Sequence, residues 1–138
     1  MTGEYQHILD AKGRLFIPAK LREKLGGVFY VTISMDECLS AYSLETWQTI
    51  QDKFDSLPLS KARRVRPLFA NACRCELDGQ GRILLPQKLR DFAGLKKNVT
   101  VIGVSNHAEL WDTDKWNALE SAELTPENIA AAMEELGF

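Results

Sequence analysis

The chain is poor in the residues that carry most protein chemistry. Its 138 residues include only two histidines and three cysteines, and His7 and His107 stand about 100 positions apart. No Walker loop, Gly-x-Ser-x-Gly elbow or His-Glu-x-x-His pair occurs. Gly79-Gln80-Gly81 lacks the third glycine and the strand-to-helix setting of a dinucleotide site. These absences exclude the common hydrolase, zinc-protease and nucleotide-dependent chemistries. The expectation is therefore a chain with no catalytic residue, no metal, no cofactor and no small-molecule substrate. Cys73 and Cys75 fall on one side of a predicted strand, too few for a tetrahedral zinc site, and are read as structural. With Cys38 they make an odd number, which argues against a secreted disulfide framework. Apolar runs stay far below the roughly 20 residues that span a bilayer. The first residues show neither the basic nor the apolar region of a signal peptide, so a reducing cytoplasm is expected, with no membrane partner.

Net charge is also small, at −2, but it is unevenly spread. Residues 1–106 carry 16 basic and 11 acidic groups, whereas residues 107–138 carry one basic and eight acidic. A mildly basic body with an acidic tail admits a polyanionic partner on one face.

The most informative feature of this sequence is an internal duplication. Asp10-Ala-Lys-Gly-Arg-Leu-Phe-Ile-Pro-Ala-Lys-Leu-Arg-Glu23 lies over Asp78-Gly-Gln-Gly-Arg-Ile-Leu-Leu-Pro-Gln-Lys-Leu-Arg-Asp91 at an offset of 68, with seven of 14 positions identical. Val31-Thr32 matches Val99-Thr100, and Tyr42 and Trp47 fall on Trp111 and Trp116 after one inserted residue. The repeats span residues 1–69, with a core of about 4–47, and residues 70–138, with a core of about 72–116 and acidic C-terminal helices. Units this small bury too little surface to stand alone, so they are expected to share one core.

Each half reads β-β-α-β-β followed by helix. Glu4–Leu9 and Ala72–Leu77 suit strands, Asp-x-x-Gly supplies turn residues, and each half is expected to open with a hairpin. In the return strands Arg14 and Phe16 share one face, opposite Leu15 and Ile17, and Arg82 and Leu84 copy the pattern. Pro18 and Pro86 suit position N1 of short helices, and Gly26 suits a helix stop. Ser43, Asp112 and Thr125 are natural N-caps. Trp47 and Trp116 read as core anchors. The second copy of the long helix is expected to be interrupted sooner than the first. The linker Ser60–Phe69, with Lys61, Arg63, Arg64 and Arg66, reads as a helix packed on the body through Ala62, Val65 and Phe69, with Pro67 ending or kinking it.

Two readings of the repeated motif remain open on the residues alone. Asp10 with Arg14, and Asp78 with Arg82, could be ion pairs that fix a turn. Alternatively the arginines, with Lys12, Lys20, Arg22, Lys88 and Arg90, could form a basic face, since the guanidinium fork matches guanine edges and phosphates.

The double Asp10-Ala-Lys-Gly-Arg14 and Asp78-Gly-Gln-Gly-Arg82 motif, each followed by x-x-x-Pro-x-x-Leu-Arg, resembles the MraZ family across the whole chain. Arg63-Arg64-Val65, Glu109-Leu110-Trp111-Asp112 and the following tryptophan Trp116 resemble it too. The resemblance implies an α+β, mostly β fold: two fused AbrB-like swapped-hairpin units of the double-split β-barrel kind, with helical appendages. It implies a DNA-binding transcriptional regulator, nucleoid-associated, acting on double-stranded DNA at promoter repeats. Those repeats would lie upstream of the bacterial division and cell wall gene cluster, including its own gene. It further implies a homo-oligomeric ring, Arg14 and Arg82 as first DNA contacts supported by Lys12, Lys20, Arg22, Lys88 and Arg90, and Asp10 and Asp78 as orienting residues. The rival expectation is a non-catalytic protein-interaction or antitoxin-like scaffold of the same fold.

Overall fold

The structure, a computed structural model, describes residues 1–138. Both halves follow one element order. The first comprises β1 (Glu4–Ile8), β2 (Arg14–Phe16), α1 (Ala19–Leu25), β3 (Val28–Ile33), β4 (Leu39–Ser43), α2 (Leu44–Asp55) and α3 (Leu59–Ala70). The second comprises β5 (Cys73–Glu76), β6 (Arg82–Leu84), α4 (Gln87–Ala93), β7 (Asn98–Val104), β8 (His107–Asp112), α5 (Thr113–Glu123) and α6 (Pro126–Glu135). Helices hold more residues than strands, so the fold is mixed α+β and not mostly β. One reason is that α5 runs on to Glu123, nearly as long as α2.

Local chemistry explains most of the boundaries. The N–H groups that open α2, α5 and α6 are met by Ser43 Oγ, Asp112 Oδ2 and Thr125 Oγ1, which accept from Thr46, Lys115 and Asn128 at 3.2, 3.4 and 3.2 Å. Pro18 and Pro86 take the N-cap position itself, one residue before the N1 expected of them. Gly26 and Gly94 end α1 and α4 with φ of 85° and 60°. Pro67 does not end or break α3, which continues to Ala70. It forfeits one helical bond, to the carbonyl of Arg63; both residues lie on the exposed side, where water can take the freed acceptor.

Six strands form one antiparallel sheet in the order β1-β7-β8-β4-β3-β5. Its edges are exchanged: β1 of the first half pairs with β7 of the second, and β5 of the second with β3 of the first. The remaining strands, β2 and β6, form a two-stranded antiparallel ribbon of their own. The hairpin expected within each half is therefore not formed. The turn closes, with Asp10 and Arg14 joined N–H to C=O at 3.0 Å, but β1 and β2 then enter different sheets. Leu15 and Ile83 require a buried partner surface, and they find it against each other and the common core.

That core draws on both halves. Leu15, Ile17, Leu21, Phe29 and Val31 are packed in one cluster with Ile83, Leu85, Leu89, Val99, Val101 and Leu110. Enclosing each of these side chains contributes about 1.5–3 kcal/mol. Trp47 is buried, stacked on Tyr30 at a centroid distance of 4.9 Å. Trp116 is only half-buried: it tilts against Trp111 at 5.6 Å, and its indole N–H donates to Glu4 Oε1 at 2.9 Å. Cys75 is buried, and Cys73 is half-buried with its sulfur 3.8 Å away.

Candidate nucleic-acid interface

The β2–β6 ribbon positions the repeated arginines. Its register pairs Arg14 with Leu84, Leu15 with Ile83, and Phe16 with Arg82. Cross-strand partners point to the same side, so Leu15 and Ile83 go inward while Arg14, Phe16, Arg82 and Leu84 share the outward face. Both arginines thus stand on one small surface, although 68 positions separate them in the chain.

Each is held by its own aspartate. Asp10 Oδ1 accepts the backbone N–H of Lys12 and of Arg14 at 3.0 and 2.8 Å, and Oδ2 accepts Arg14 Nε–H at 2.7 Å. Asp78 repeats this with Gln80, Arg82 and Arg82 Nε at 2.9, 2.9 and 3.0 Å. The backbone N–H of the arginine first, and then its guanidinium together with one further N–H, holds each carboxyl below the ordinary aspartate value. Only Nε is engaged in either ion pair, which leaves the terminal nitrogens of both forks available to a partner. The turn-fixing and partner-facing readings of the motif are therefore compatible: the carboxylate aims the guanidinium.

Helices α1 and α4 each send an arginine against the turn of the other half. Gly13 and Gly81 adopt φ of 85° and 78°. A Cβ at Gly13 would lie 2.9 Å from Arg90 Cζ, and one at Gly81 only 2.5 Å from Arg22 Nη1. Each motif glycine thus makes room for an arginine of the other half. Arg90 Nε donates to the carbonyl of Leu85 at 3.0 Å, whereas Arg22 lies over the Phe16 ring at 5.1 Å and its buried Nε finds no acceptor within the protein. Cross-half bonds from Ile17 N–H to Gly81 O and from Leu85 N–H to Gly13 O extend the ribbon at both ends.

The expected site residues thus divide by place. Arg14 and Arg82 stand on the outward face; Lys12, Lys20 and Lys88 are exposed, Lys88 beside Asn71, Cys73 and Arg74; Arg22 and Arg90 are half-buried against the turns. Sequence reasoning missed Lys96 and Lys97. They line a shallow depression with Asp10, Ala11 and Arg90, beside the first turn. The only sequence sign of them is a lysine doublet just after α4. Outside this surface, no three His, Cys, Asp or Glu side chains gather in a way that could hold a metal ion. No helix is long and apolar enough to cross a membrane.

Comparison with known proteins gives the family of the chain. The profile of the MraZ protein family, described as antitoxin-like, matches the chain twice, over residues 1–66 and 68–136. The chain is 51% identical to the transcriptional regulator MraZ of Acetivibrio thermocellus over 99% of this chain and 98% of that protein. It is 45% identical to that of Caldicellulosiruptor bescii, over 100% and 99%, and 48% identical to that of Halothermothrix orenii, over 99% and 98%. With both halves matched and full-length relatives at such identity, the chain belongs to the MraZ family.

Proposed function

We propose that this chain is a sequence-specific DNA-binding transcriptional regulator without catalytic activity, and that it reads double-stranded DNA with the β2–β6 ribbon. One observation carries the reading: two repeated arginines on one outward face, each aimed by its own aspartate with its terminal nitrogens free. A two-stranded ribbon fits the major groove of B-DNA, and an arginine fork there matches the O6 and N7 acceptors of guanine. In this reading Arg14 and Arg82 contact bases, and Lys12, Lys20 and Lys88 contact phosphates. Arg22 and Arg90 hold the turns that carry the strand arginines. The relatives' name, transcriptional regulator, supports the same class.

The finer parts of the proposal are an AbrB-like swapped-hairpin ancestry for each half and association with the nucleoid. They also include action at promoter repeats upstream of the division and cell wall gene cluster, and assembly into a closed ring. Supporting assembly, α6 leaves Ile129, Met133 and Leu136 exposed on an acidic segment, while α3 exposes Lys61, Arg63, Arg64 and Arg66. A head-to-tail contact between such unlike surfaces would close into a ring. Linking weak contacts raises avidity by about 10²–10⁴ when DNA repeats match subunit spacing.

The test is an anisotropy titration with the DNA upstream of the gene, against a scrambled duplex at the same salt, with light scattering for mass. Arg14→Ala and Arg82→Ala should each cost roughly 1–3 kcal/mol of specific binding without unfolding the chain. Binding that ignores sequence and survives both changes would instead favour a protein-interaction scaffold of the antitoxin-like kind.

A further inference from the structure

The outward face of the ribbon holds two apolar residues as well as two arginines, and these two are treated differently by the fold. Phe16 is covered: the His7 ring lies against it at 4.8 Å and the Arg22 guanidinium lies over it at 5.1 Å. Leu84, its equivalent in the second half, is 60% exposed on the same face. Leu84 is directly opposite Arg14 in the register, so their Cβ atoms stand as near neighbours across the ribbon, about 4.5–5.5 Å apart. An aliphatic side chain beside a base-reading arginine meets the floor of the major groove within about one base pair of that contact. The one aliphatic feature displayed there is the C5-methyl group of thymine.

We infer that Leu84 is a specificity residue, packing on a thymine methyl adjacent to the base contacted by Arg14; this rests on the ribbon reading proposed above. Beside Arg82 the corresponding residue is Phe16, whose ring is covered by His7 and Arg22 and is not free to make that contact. The ribbon therefore has one exposed aliphatic tip and one covered aromatic residue. A site read by it is not a perfect palindrome, and the chain binds with a defined direction along the DNA.

The probe is a duplex selected by the full-length protein from a random pool at fixed salt. Its thymines are then replaced singly by deoxyuridine, which keeps Watson–Crick pairing and removes only the methyl. One replacement should weaken wild-type binding about three- to fivefold, the value of one enclosed methyl. Leu84→Ala should weaken binding to the parent duplex by a similar factor and should no longer distinguish uracil from thymine at that position. Leu84→Met should keep the discrimination. Because the side chain is exposed, each variant should melt with the wild type. A flat uracil scan, or a penalty that persists in Leu84→Ala, overturns the assignment. Arg14→Ala and Arg82→Ala are titrated in parallel: if they lose binding while the scan is flat, the ribbon reading stands and the role of Leu84 falls. If binding survives the loss of both arginines, the ribbon reading fails and Leu84 with it.

Discussion

The helices α3 and α6 occupy equivalent places in the two halves, and only one of them is docked. At the offset of 68, Pro58, Ala62, Val65 and Leu68 fall on Pro126, Ala130, Met133 and Leu136. In α3 the last three are half-buried, Phe69 packs on Trp47 and Phe54 at 5.3 and 4.6 Å, and Thr32 Oγ1 donates to the carbonyl of Leu68 at 2.6 Å. In α6 every residue is exposed. The clamp is missing there, because Phe69 is replaced by Gly137 at the same offset, and Phe54 by Glu123 in the alignment that puts Trp47 on Trp116. Thr100, the counterpart of Thr32, is spent on Thr113 Oγ1 at 2.9 Å. By contrast the two Asp-x-x-Gly-Arg turns agree hydrogen bond for hydrogen bond. Duplication has kept the two turns alike and released one helix from its own body.

The sharpest way to break this comparison is through the shared core. Leu15→Ala and Ile83→Ala should each lower stability by about 2–5 kcal/mol, because each removes a fully enclosed side chain from the ribbon's inner face. Urea unfolding should remain a single transition in both; two separable transitions would show that the halves fold apart. Next comes the docked helix. Phe69→Ala should cost about 2 kcal/mol, less than a fully enclosed phenylalanine, while Met133→Ala should leave the isolated subunit unchanged within about 0.5 kcal/mol. Equal losses at the two positions would mean that α6 is covered in solution.

Smaller effects test the symmetry of the turns. Asp10 and Asp78 should both titrate below the ordinary carboxylate value near 3.9 when followed by carboxyl carbon shifts. A depressed carboxylate adds stability that is complete above the unfolded pKa and is lost as pH falls through the folded one, so these ion pairs should persist at pH 5 and fail only in stronger acid. A midpoint depressed in one half alone would separate the two turns. The smallest effect belongs to position 7, where the counterpart of His7 is Cys75. Burial lowers the His7 pKa, so stability should be complete above about 6.5 and decline as pH drops below it. His7→Cys should flatten that decline in melts between pH 7.5 and 5.5.

Much of this was legible in the sequence because it is local. The caps Ser43, Asp112 and Thr125, the turn glycines and the alternation of Arg14-Leu15-Phe16 all depend on neighbours within a few positions. The exchange of strands was not legible, since period-two alternation tells which face a residue takes but not which strand it pairs with. The burial of Arg22 and Arg90 was hidden for a similar reason. A helical wheel places both beside the apolar stripe of Leu21 and Leu25 or of Leu89 and Ala93, and only the glycine of the opposite half shows that something must approach it. Pro67 misled because it lies one turn from the end of α3 on the exposed side, where the freed Arg63 carbonyl can meet water.

The exchange of β1 and β5 also sets the order in which the chain can be completed during synthesis. His7 pairs with Val99 and Tyr5 with Val101, so the first strand to leave the ribosome waits for more than ninety further residues before its partner exists. Likewise β2 has no ribbon partner until Arg82–Leu84 has emerged. Such long-range closure slows folding and keeps apolar edges uncovered in the meantime. A chain truncated after its first repeat therefore keeps the β3–β4 pair but lacks the partners of β1 and β2 and the strand that covers the outer side of β3. Premature termination should yield material for proteases and chaperones, not a smaller version of the same protein.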